Sequence, residues 1–198
     1  STLLASSAAS DVYKRQGVNS AIINLGGNVL CIGSKPDGTP FKVGIQKPFA
    51  DRNETEAVMD ITGKSVVSSG IYERCFKQNG KLYHHILNPK TGYPYDNSLI
   101  SVTIISDQSV DGDALSTTCF ALGLEDGMKL AESLDDVQAF FVTSDYEIHY
   151  TRDFQKKIKF ISDPGFQISP EPCIPASYHS VSVGSLSVSY THLRAHET

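Results

Sequence analysis

The 198-residue sequence contains no tryptophan, and no apolar run approaches the roughly 20 residues that a membrane-spanning helix needs. It also lacks a surplus of basic residues, because 17 Lys and Arg stand against 22 Asp and Glu and the formal net charge is −5. Nucleic-acid-binding domains normally show a basic face, so this balance argues against that class. A hydrophobic fraction of 40% and a charged fraction of 20% are typical of a globular protein of one domain or slightly more.

Closely spaced cysteine pairs are missing as well. The four cysteines lie far apart, and none belongs to a CxxC motif. The sequence therefore predicts neither a zinc site of that kind nor a disulfide framework, and it leaves the redox compartment open.

Both ends of the chain have an unusual composition. Residues 1–16 lack a basic segment ahead of their apolar stretch, so we do not expect them to be a signal peptide. Residues 162–198 are rich in Pro and Ser; the Ser-Val alternation near the end would suit a strand, yet it offers no partner strand. The letters DVYKRQ and VSYTHLRAHET resemble translated adapter sequence. We therefore expect a non-native leader over 1–16, a folded part over 17–161, and a loop-like, non-native tail over 162–198.

Short apolar stretches dominate the first half of the folded part. Strands are predicted in SAIINLGGNVLCIG, FKVGIQ, AVMDITG, KSVVSSG, KLYHHIL and LISVTIIS. The period then changes to that of a helix from about Asp113 to Leu122, with Asp111 or Asp107 as its cap and Gly123 at its end. A second helix follows in LEDGMKLAESL, and VQAFFVT and EIHYT predict a closing strand pair. This order favours an α+β fold with an antiparallel or mixed sheet and late helices.

Two adjacent glycines, Gly26 and Gly27, interrupt the first pair of predicted strands in INLGGN. They supply the positive φ values that a two-residue hairpin turn needs. Alternatively, their missing side chains let backbone N–H groups approach a ligand, often a phosphate.

Two adjacent histidines precede a rigid turn in YHHILNPKTGYP, residues 83–94. Strand alternation sends one of His84 and His85 into the sheet and the other to solvent, which requires no chemistry. Alternatively, the strand directs one histidine into a cleft, and Pro89 and Gly92 hold the chain just beyond it. A cleft histidine can take a proton from a hydroxyl nucleophile at neutral pH.

An acidic residue and a threonine, Asp113 and Thr117, lie four residues apart in the first predicted helix and so share a face. A carboxylate and a hydroxyl near a helix N-terminus form a hard oxygen pair that suits Mg²⁺. The alternative is that Asp113 caps the helix and Thr117 packs.

Four motifs together resemble one family. They are NLGG at Asn24–Gly27, SSGIYER at Ser68–Arg74, HHILNPKTGYP at His84–Pro94 and GDALSTTCFALG at Gly112–Gly123. In content and order they resemble the FAD:protein FMN transferase family, also called the ApbE family, over residues 17–161. Ser68 stands where the family usually has Thr, and Gly112 where it often has Ala, both mild departures. The family's N-terminal half, with an IDLGGIAKG-like segment, does not precede NLGG here.

The resemblance implies an ApbE-like (T-fold-like) flavin transferase domain, truncated at its N-terminus. It implies Mg²⁺-dependent transfer of FMN from FAD to a Thr or Ser hydroxyl of a target flavoprotein, with release of AMP. By position in the motifs, His85 matches the base, and Asp113 and Thr117 match the metal site. The flavin and acceptor pocket would involve Gly26, Gly27, His85, Ile86, Leu87, Ser69, Gly70 and Tyr72. Because the upstream flavin and metal contacts are missing, we expect this chain to be inactive by itself.

Other functions share these residues. An FAD pyrophosphatase would use water as the acceptor, a flavin-binding protein would not cleave FAD, and a structural domain would bind no ligand. A protein that only binds flavin has no need of the pair Asp113 and Thr117. The resemblance further implies an extracytoplasmic lipoprotein anchored to the membrane, although this chain itself shows no membrane span.

Overall fold

The computed structural model describes residues 16–46, 48–49, 55–162, 169–170 and 179–182. The strands in these ranges are β1 (Ala21–Asn24), β2 (Asn28–Ile32), β3 (Phe41–Gln46), β4 (Thr55–Ile61), β5 (Ser65–Gly70), β6 (Cys75–Gln78), β7 (Lys81–His84), β8 (Leu99–Ser106), β9 (Gln138–Thr143), β10 (Glu147–Tyr150), β11 (Lys159–Ser162), β12 (Ser169–Pro170) and β13 (His179–Ser182). The helices are α1 (Ser109–Leu122), α2 (Leu124–Glu132) and α3 (Phe154–Lys157). The α+β fold class with late helices is confirmed.

An eight-stranded sheet with the order β1-β2-β5-β8-β9-β10-β13-β12 forms the centre of the fold. Every neighbouring pair of strands in this sheet is antiparallel. Of the two predicted alternatives, an antiparallel or a mixed sheet, the antiparallel one is therefore correct. The order β11-β4-β3 forms a second antiparallel sheet, and β6 and β7 form a separate two-stranded ribbon. β8 is buried along its whole length, as its β-branched sequence predicted.

The large sheet lies between two layers. On one face, Val102 and Ile104 of β8 join a core cluster with Phe120 of α1 and Met128 of α2. On the other face, residues such as Ile105 join a second cluster with residues of the three-stranded sheet. Side chains along a strand alternate between the faces, and β8 therefore contributes to both clusters.

The adjacent segments AVMDITG and KSVVSSG, which were both predicted as strands, belong to different sheets. β4 pairs with β3 and β11, whereas β5 pairs with β2 and β8. The turn between them contains Gly63, whose φ of 63° is unfavourable for other residues. Because β5 lies beside β8, the second half of β5 lies next to α1.

The first helix begins earlier than predicted. It begins at Ser109, its cap residue is Gln108, and the cap makes no side-chain hydrogen bond. The predicted caps are wrong: Asp111 lies within the first turn, and Asp107 forms an ion pair with Lys64. An acidic residue in the first turn is still favourable for the helix dipole. The predicted end is confirmed, since α1 stops at Leu122 and the next residue is glycine with a φ of 82°.

The expected loop-like tail contains two short strands. β13 pairs antiparallel with β10, and β12 pairs with β13. The expectation that the alternating stretch lacks a partner is therefore wrong for His179–Ser182. The physical reason is that β10 would otherwise be an edge strand with unpaired backbone groups. The non-native origin of both chain ends stays a prediction. No helix in the described part of the chain is long and apolar enough to cross a membrane.

Candidate functional site

A groove of about 410 Å³ lies between the C-terminal half of α1 and the turn after β7. Four residues predicted for the site line it, namely His85, Ile86, Leu87 and Thr117. Tyr95, Thr118, Ala121 and Leu122 complete the lining. The structure thus brings together residues of two motifs, such as Leu87 and Thr117, that lie 30 residues apart in the sequence.

The turn that forms one wall is a tight hairpin closed by backbone hydrogen bonds. Asn88 N–H donates to the Tyr93 carbonyl at 2.8 Å, and Tyr95 N–H donates to the Ile86 carbonyl at 3.1 Å. The N–H of Gly92 donates to the Asn88 carbonyl at 2.8 Å, with a φ of 72° at that glycine. This rigid turn holds Leu87, which is 52% exposed, at the groove.

The two histidines have different environments, as the alternation predicted. His84 is buried, packs edge-on against Phe120, and contacts the Tyr95 carbonyl through Nε2 at 3.0 Å. Since a carbonyl only accepts, Nε2 carries the hydrogen. Burial lowers the pKa of His84, which favours the neutral ring. His85 is exposed and lines the groove, so His84 anchors the turn and His85 is the histidine that a ligand can reach.

The opposite wall is the face of α1 that carries the predicted metal pair. Asp113 and Thr117 are both exposed and lie one turn apart. Thr117 Oγ1 lies 3.1 Å from Ser69 Oγ, so the predicted pocket residue Ser69 of β5 contacts the predicted metal residue directly. Asp113 does not line the groove itself, but it is one turn from a residue that does.

A glycine allows α1 to approach the sheet at this point. A Cβ at Gly112 would lie 2.7 Å from Val67 Cγ2 and 3.1 Å from Ser106 Oγ. Both distances are shorter than ordinary van der Waals contacts. The close approach brings Ser69 within hydrogen-bond distance of the helix.

The donors present are compatible with Mg²⁺. One carboxylate and one hydroxyl are hard oxygen ligands, and Mg²⁺ in nucleotide enzymes is commonly held by one or two carboxylates together with substrate phosphates and water. No group of three or more His, Cys, Asp or Glu side chains suited to a metal occurs in the part of the chain that the structure describes. Asp113 and Thr117 would therefore supply part of a coordination shell.

The glycine pair lies near the other end of α1. Gly26 and Gly27 have φ values of 70° and 109° and form the β1–β2 turn, as predicted. Next to them, Asn28 Oδ1 accepts a hydrogen bond of 2.7 Å from Ser109 Oγ at the start of α1. Eight residues separate Ser109 from Thr117, which corresponds to roughly 12 Å of helix. The glycine turn is thus held at the same helix, although it does not line the groove.

Two further predicted residues lie away from the groove. The ring of Tyr72 covers Gly70, since a Cβ there would lie 2.7 Å from Tyr72 Cε1. Tyr72 also packs edge-on against Phe49 and contacts the core cluster on the side of the three-stranded sheet. Burial raises the pKa of Tyr72. Its role in flavin or acceptor binding stays a prediction, as does that of Gly70.

Sequence reasoning missed several residues that shape the groove. Tyr95 follows the motif turn directly, and its position one residue after Pro94 was the available signal. Asn97 donates from Nδ2 to the Phe120 carbonyl at 2.6 Å and so joins the end of the turn segment to α1. No periodicity marks such a residue, because its contact depends on the packing of distant segments.

Comparison with known proteins identifies the family. The ApbE family model matches residues 4–141, a match that begins inside the segment predicted to be a leader. An FAD:protein FMN transferase of Klebsiella pneumoniae (strain 342) is 43% identical over 159 residues, which are 80% of this chain and 48% of that protein. A protein of the same name from Treponema pallidum (strain Nichols) is 33% identical over 152 residues, 73% of this chain and 42% of its own length.

Solved structures agree with this result. The flavin transferase ApbE from Vibrio cholerae superposes with a TM-score of 0.61 at 26% identity, over 75% of this chain and 47% of that one. The apo flavinyl transferase ApbE of Pseudomonas stutzeri gives 0.57 at 34% identity, over 71% and 43%. The chain spans about half the length of the curated relatives that it matches. The resemblance carried by the four motifs is confirmed, and the chain belongs to the ApbE family.

Proposed function

We propose that this chain is part of an FAD:protein FMN transferase. The observation that carries the proposal is the groove, in which His85 and Thr117 line one space and Asp113 lies one helical turn away. Relatives of that name match the chain over most of its length. The acceptor is a Thr or Ser hydroxyl of a flavoprotein.

His85 acts as the general base in this proposal. Its exposed imidazole takes the proton of the acceptor hydroxyl, and the acceptor oxygen forms a bond to the phosphorus of the FMN half of FAD. The bond from that phosphorus to the bridging pyrophosphate oxygen breaks, and AMP leaves with the electron pair. A positioned base of this kind contributes roughly 10²–10⁴-fold to a rate. His84 does not compete for the role, since its Nε2 is committed to the Tyr95 carbonyl.

Asp113 and Thr117 would hold Mg²⁺. When bound, the ion supplies neutralisation of the negative charge that develops on the phosphates. Of these two side chains, Asp113 would contribute a negatively charged carboxylate oxygen to the coordination shell, and Thr117 a neutral hydroxyl oxygen. Both side chains are exposed on one helix face, which supports this assignment.

Flavin binding is assigned to the turn and the neighbouring glycines. Ile86 and Leu87 line the groove beside His85, and the exposed Leu87 offers an apolar contact. Gly26 and Gly27 offer backbone close to the N-terminal end of α1.

We also propose that the intact protein is an extracytoplasmic lipoprotein anchored to the membrane. The family resemblance alone supports this. Fractionation of cells that express the complete gene, with detection of a covalent lipid on the protein, tests it; recovery of unmodified protein in the cytoplasmic fraction would contradict it.

The activity is best tested with two proteins. The first is the 198-residue chain, and the second joins the upstream part of the Klebsiella relative to residues 17–161 of this chain. Each is incubated with FAD, Mg²⁺ and an acceptor protein that the relative itself flavinylates. AMP release is followed by chromatography, and flavin bound to the acceptor by in-gel fluorescence and mass spectrometry.

We expect the joined protein to release AMP and label the acceptor, and the 198-residue chain alone to do neither. A joined protein that folds and binds FAD but transfers nothing would contradict the proposed function. AMP release with no label on the acceptor would identify an FAD pyrophosphatase instead. Turnover by the chain alone would contradict the expectation that it is incomplete.

A further inference from the structure

Three hydroxyl groups form a connected chain where β5 meets α1. Ser69 Oγ lies 2.9 Å from Ser116 Oγ and 3.1 Å from Thr117 Oγ1. Ser116 Oγ lies 3.2 Å from the backbone carbonyl oxygen of Asp113. Ser116 is fully buried, whereas Thr117 is exposed and lines the groove. The hydroxyl chain therefore runs from the interior to the surface of the candidate site.

Only one order of donors satisfies all three contacts at once. The Asp113 carbonyl can only accept, so Ser116 donates its single hydrogen to it. Ser116 must then accept from Ser69, which uses the hydrogen of Ser69. Ser69 must in turn accept from Thr117. The hydrogen of Thr117 is thus directed at Ser69, into the protein.

This order has a consequence for the outer side of Thr117. With its hydrogen directed at Ser69, the lone pairs of Thr117 Oγ1 remain available on the exposed side of the helix. The opposite order would occupy one lone pair and direct a hydrogen outward, where it would repel a cation. An oxygen that presents lone pairs is what a hard cation requires as a ligand.

We propose that Ser69 is a positioning residue that orients the Thr117 hydroxyl for binding of a divalent cation. The inference deepens the metal assignment of the proposed function and rests on it. Ser69 itself is not assigned as a ligand. Groups that orient metal ligands typically affect metal affinity by 10–100-fold when they are removed.

A neighbouring serine provides a matched control. Ser68 Oγ lies 2.7 Å from Thr103 Oγ1 in the β5–β8 pair. Adjacent residues of a strand point to opposite faces, so Ser68 points away from α1. Ser68→Ala and Ser69→Ala remove the same atom from neighbouring positions, and only the second removes the partner of Thr117.

The experiment has two readouts that do not depend on turnover, the first made on the 198-residue chain and the second on the joined protein, which also carries the upstream part of the proposed metal site. Three-bond couplings to the Thr117 γ-methyl group report its χ1 rotamer by NMR without metal. Titration with Mn²⁺, followed by paramagnetic broadening of signals around Asp113, reports cation affinity. Variants are Ser69→Ala, Ser69→Thr, Ser68→Ala and Thr117→Val, together with the Ser69→Ala/Thr117→Val double variant.

We expect one Thr117 rotamer in the unmodified chain and in Ser68→Ala, and averaged couplings in Ser69→Ala. Ser69→Ala should weaken Mn²⁺ binding about tenfold, at the lower end of the usual range. Ser69→Thr, which keeps the hydroxyl, should restore both readouts. In the Thr117→Val background Ser69→Ala should have no further effect, because it acts through Thr117.

An unchanged rotamer and unchanged Mn²⁺ affinity in Ser69→Ala would overturn the inference. If Thr117→Val weakens Mn²⁺ binding but Ser69→Ala does not, Ser69 has no positioning role while the proposed metal pair stands. If Thr117→Val itself has no effect, or the joined protein without substitutions binds no Mn²⁺, the metal pair of the proposed function fails and the inference fails with it. Should Ser69→Ala not fold, Ser69→Cys, a weaker hydrogen-bonding group of similar size, must show the same changes at reduced size.

Discussion

Replacing Gly112 by alanine tests how closely α1 packs on the sheet. By helix propensity alone the change should stabilise the protein by about 1 kcal/mol, because glycine is the poorer helix former. The structure predicts the opposite sign. The new Cβ would lie 2.7 Å from Val67 Cγ2, where carbon atoms normally stay roughly 3.5–4.0 Å apart.

The neighbours of this site have little freedom to move. Val67 is 2% exposed, and as a β-branched residue it has restricted rotamers. The next atom, Ser106 Oγ, already donates to the Gln108 carbonyl at 2.8 Å. Overpacking of this kind costs about 1–3 kcal/mol. Because the neighbours are constrained, we expect an overpacking cost of about 2–3 kcal/mol, the upper half of that range. Subtracting the gain of about 1 kcal/mol from helix propensity leaves a net loss of about 1–2 kcal/mol in the free energy of unfolding.

The measurement is urea unfolding followed by circular dichroism. Ala114→Gly, at an exposed position of the same helix, calibrates propensity and should destabilise by about 1 kcal/mol. Val67→Ala should be less damaging in the Gly112→Ala background than alone, with a coupling of about 1–3 kcal/mol, since it removes the overlapping methyl group. Stabilisation by Gly112→Ala would refute the close approach, and additive effects of the pair would exclude Val67 as the conflicting neighbour.

Four other predictions concern the site and the chain ends. In the joined protein, Asp113→Ala should abolish Mg²⁺-dependent AMP release, and near-normal release at moderate Mg²⁺ would refute the metal assignment. In the same protein, His85→Ala should slow acceptor labelling by about 10²–10⁴-fold while FAD affinity, measured by fluorescence titration, is kept; a collapse of affinity with high residual turnover would make His85 a binding residue. Burial lowers the pKa of His84 below its ordinary value of about 6.5, so the unfolded chain binds more protons than the folded chain, and the free energy of unfolding should fall as the pH drops below that value. The urea midpoint should therefore fall between pH 7.5 and 5.5, and His84→Gln should reduce this fall. An equal fall in the variant would exclude His84 as its source. Limited proteolysis should trim residues 1–16 but leave His179–Ser182 protected, because β13 pairs with β10 in the central sheet; cleavage within His179–Ser182 would contradict that pairing and favour the predicted loop-like tail.

Some features of this protein are determined locally, and the sequence alone was sufficient for them. The β1–β2 turn follows from Gly26 and Gly27, because few other residues adopt two consecutive positive φ values. The burial of β8 follows from its run of β-branched residues. The opposite environments of His84 and His85 follow from strand alternation. The order of four motifs was sufficient for the family.

Capping was less predictable. In the sequence, Asp107 and Asp111 were equally suitable as N-caps of α1. In the structure, Asp107 instead forms an ion pair with Lys64, which comes from a different part of the chain. The helix therefore begins at Ser109, where a serine hydroxyl can bond to Asn28 of the glycine hairpin. Such choices depend on which partners the fold brings near, and local sequence does not contain that information.

The tertiary structure alone decided which predicted site residues meet. Ser69 and Thr117 are 48 residues apart, and their contact requires β5 to pair with β8 and α1 to pack over that pair. The same packing leaves Tyr72 against the other core cluster, although it is only three residues from Ser69. Motif order predicted the list of residues, because each motif is a local pattern. Which of them share a groove depends on non-local strand pairing and on the space that Gly112 leaves for the helix, and these are properties of the folded chain.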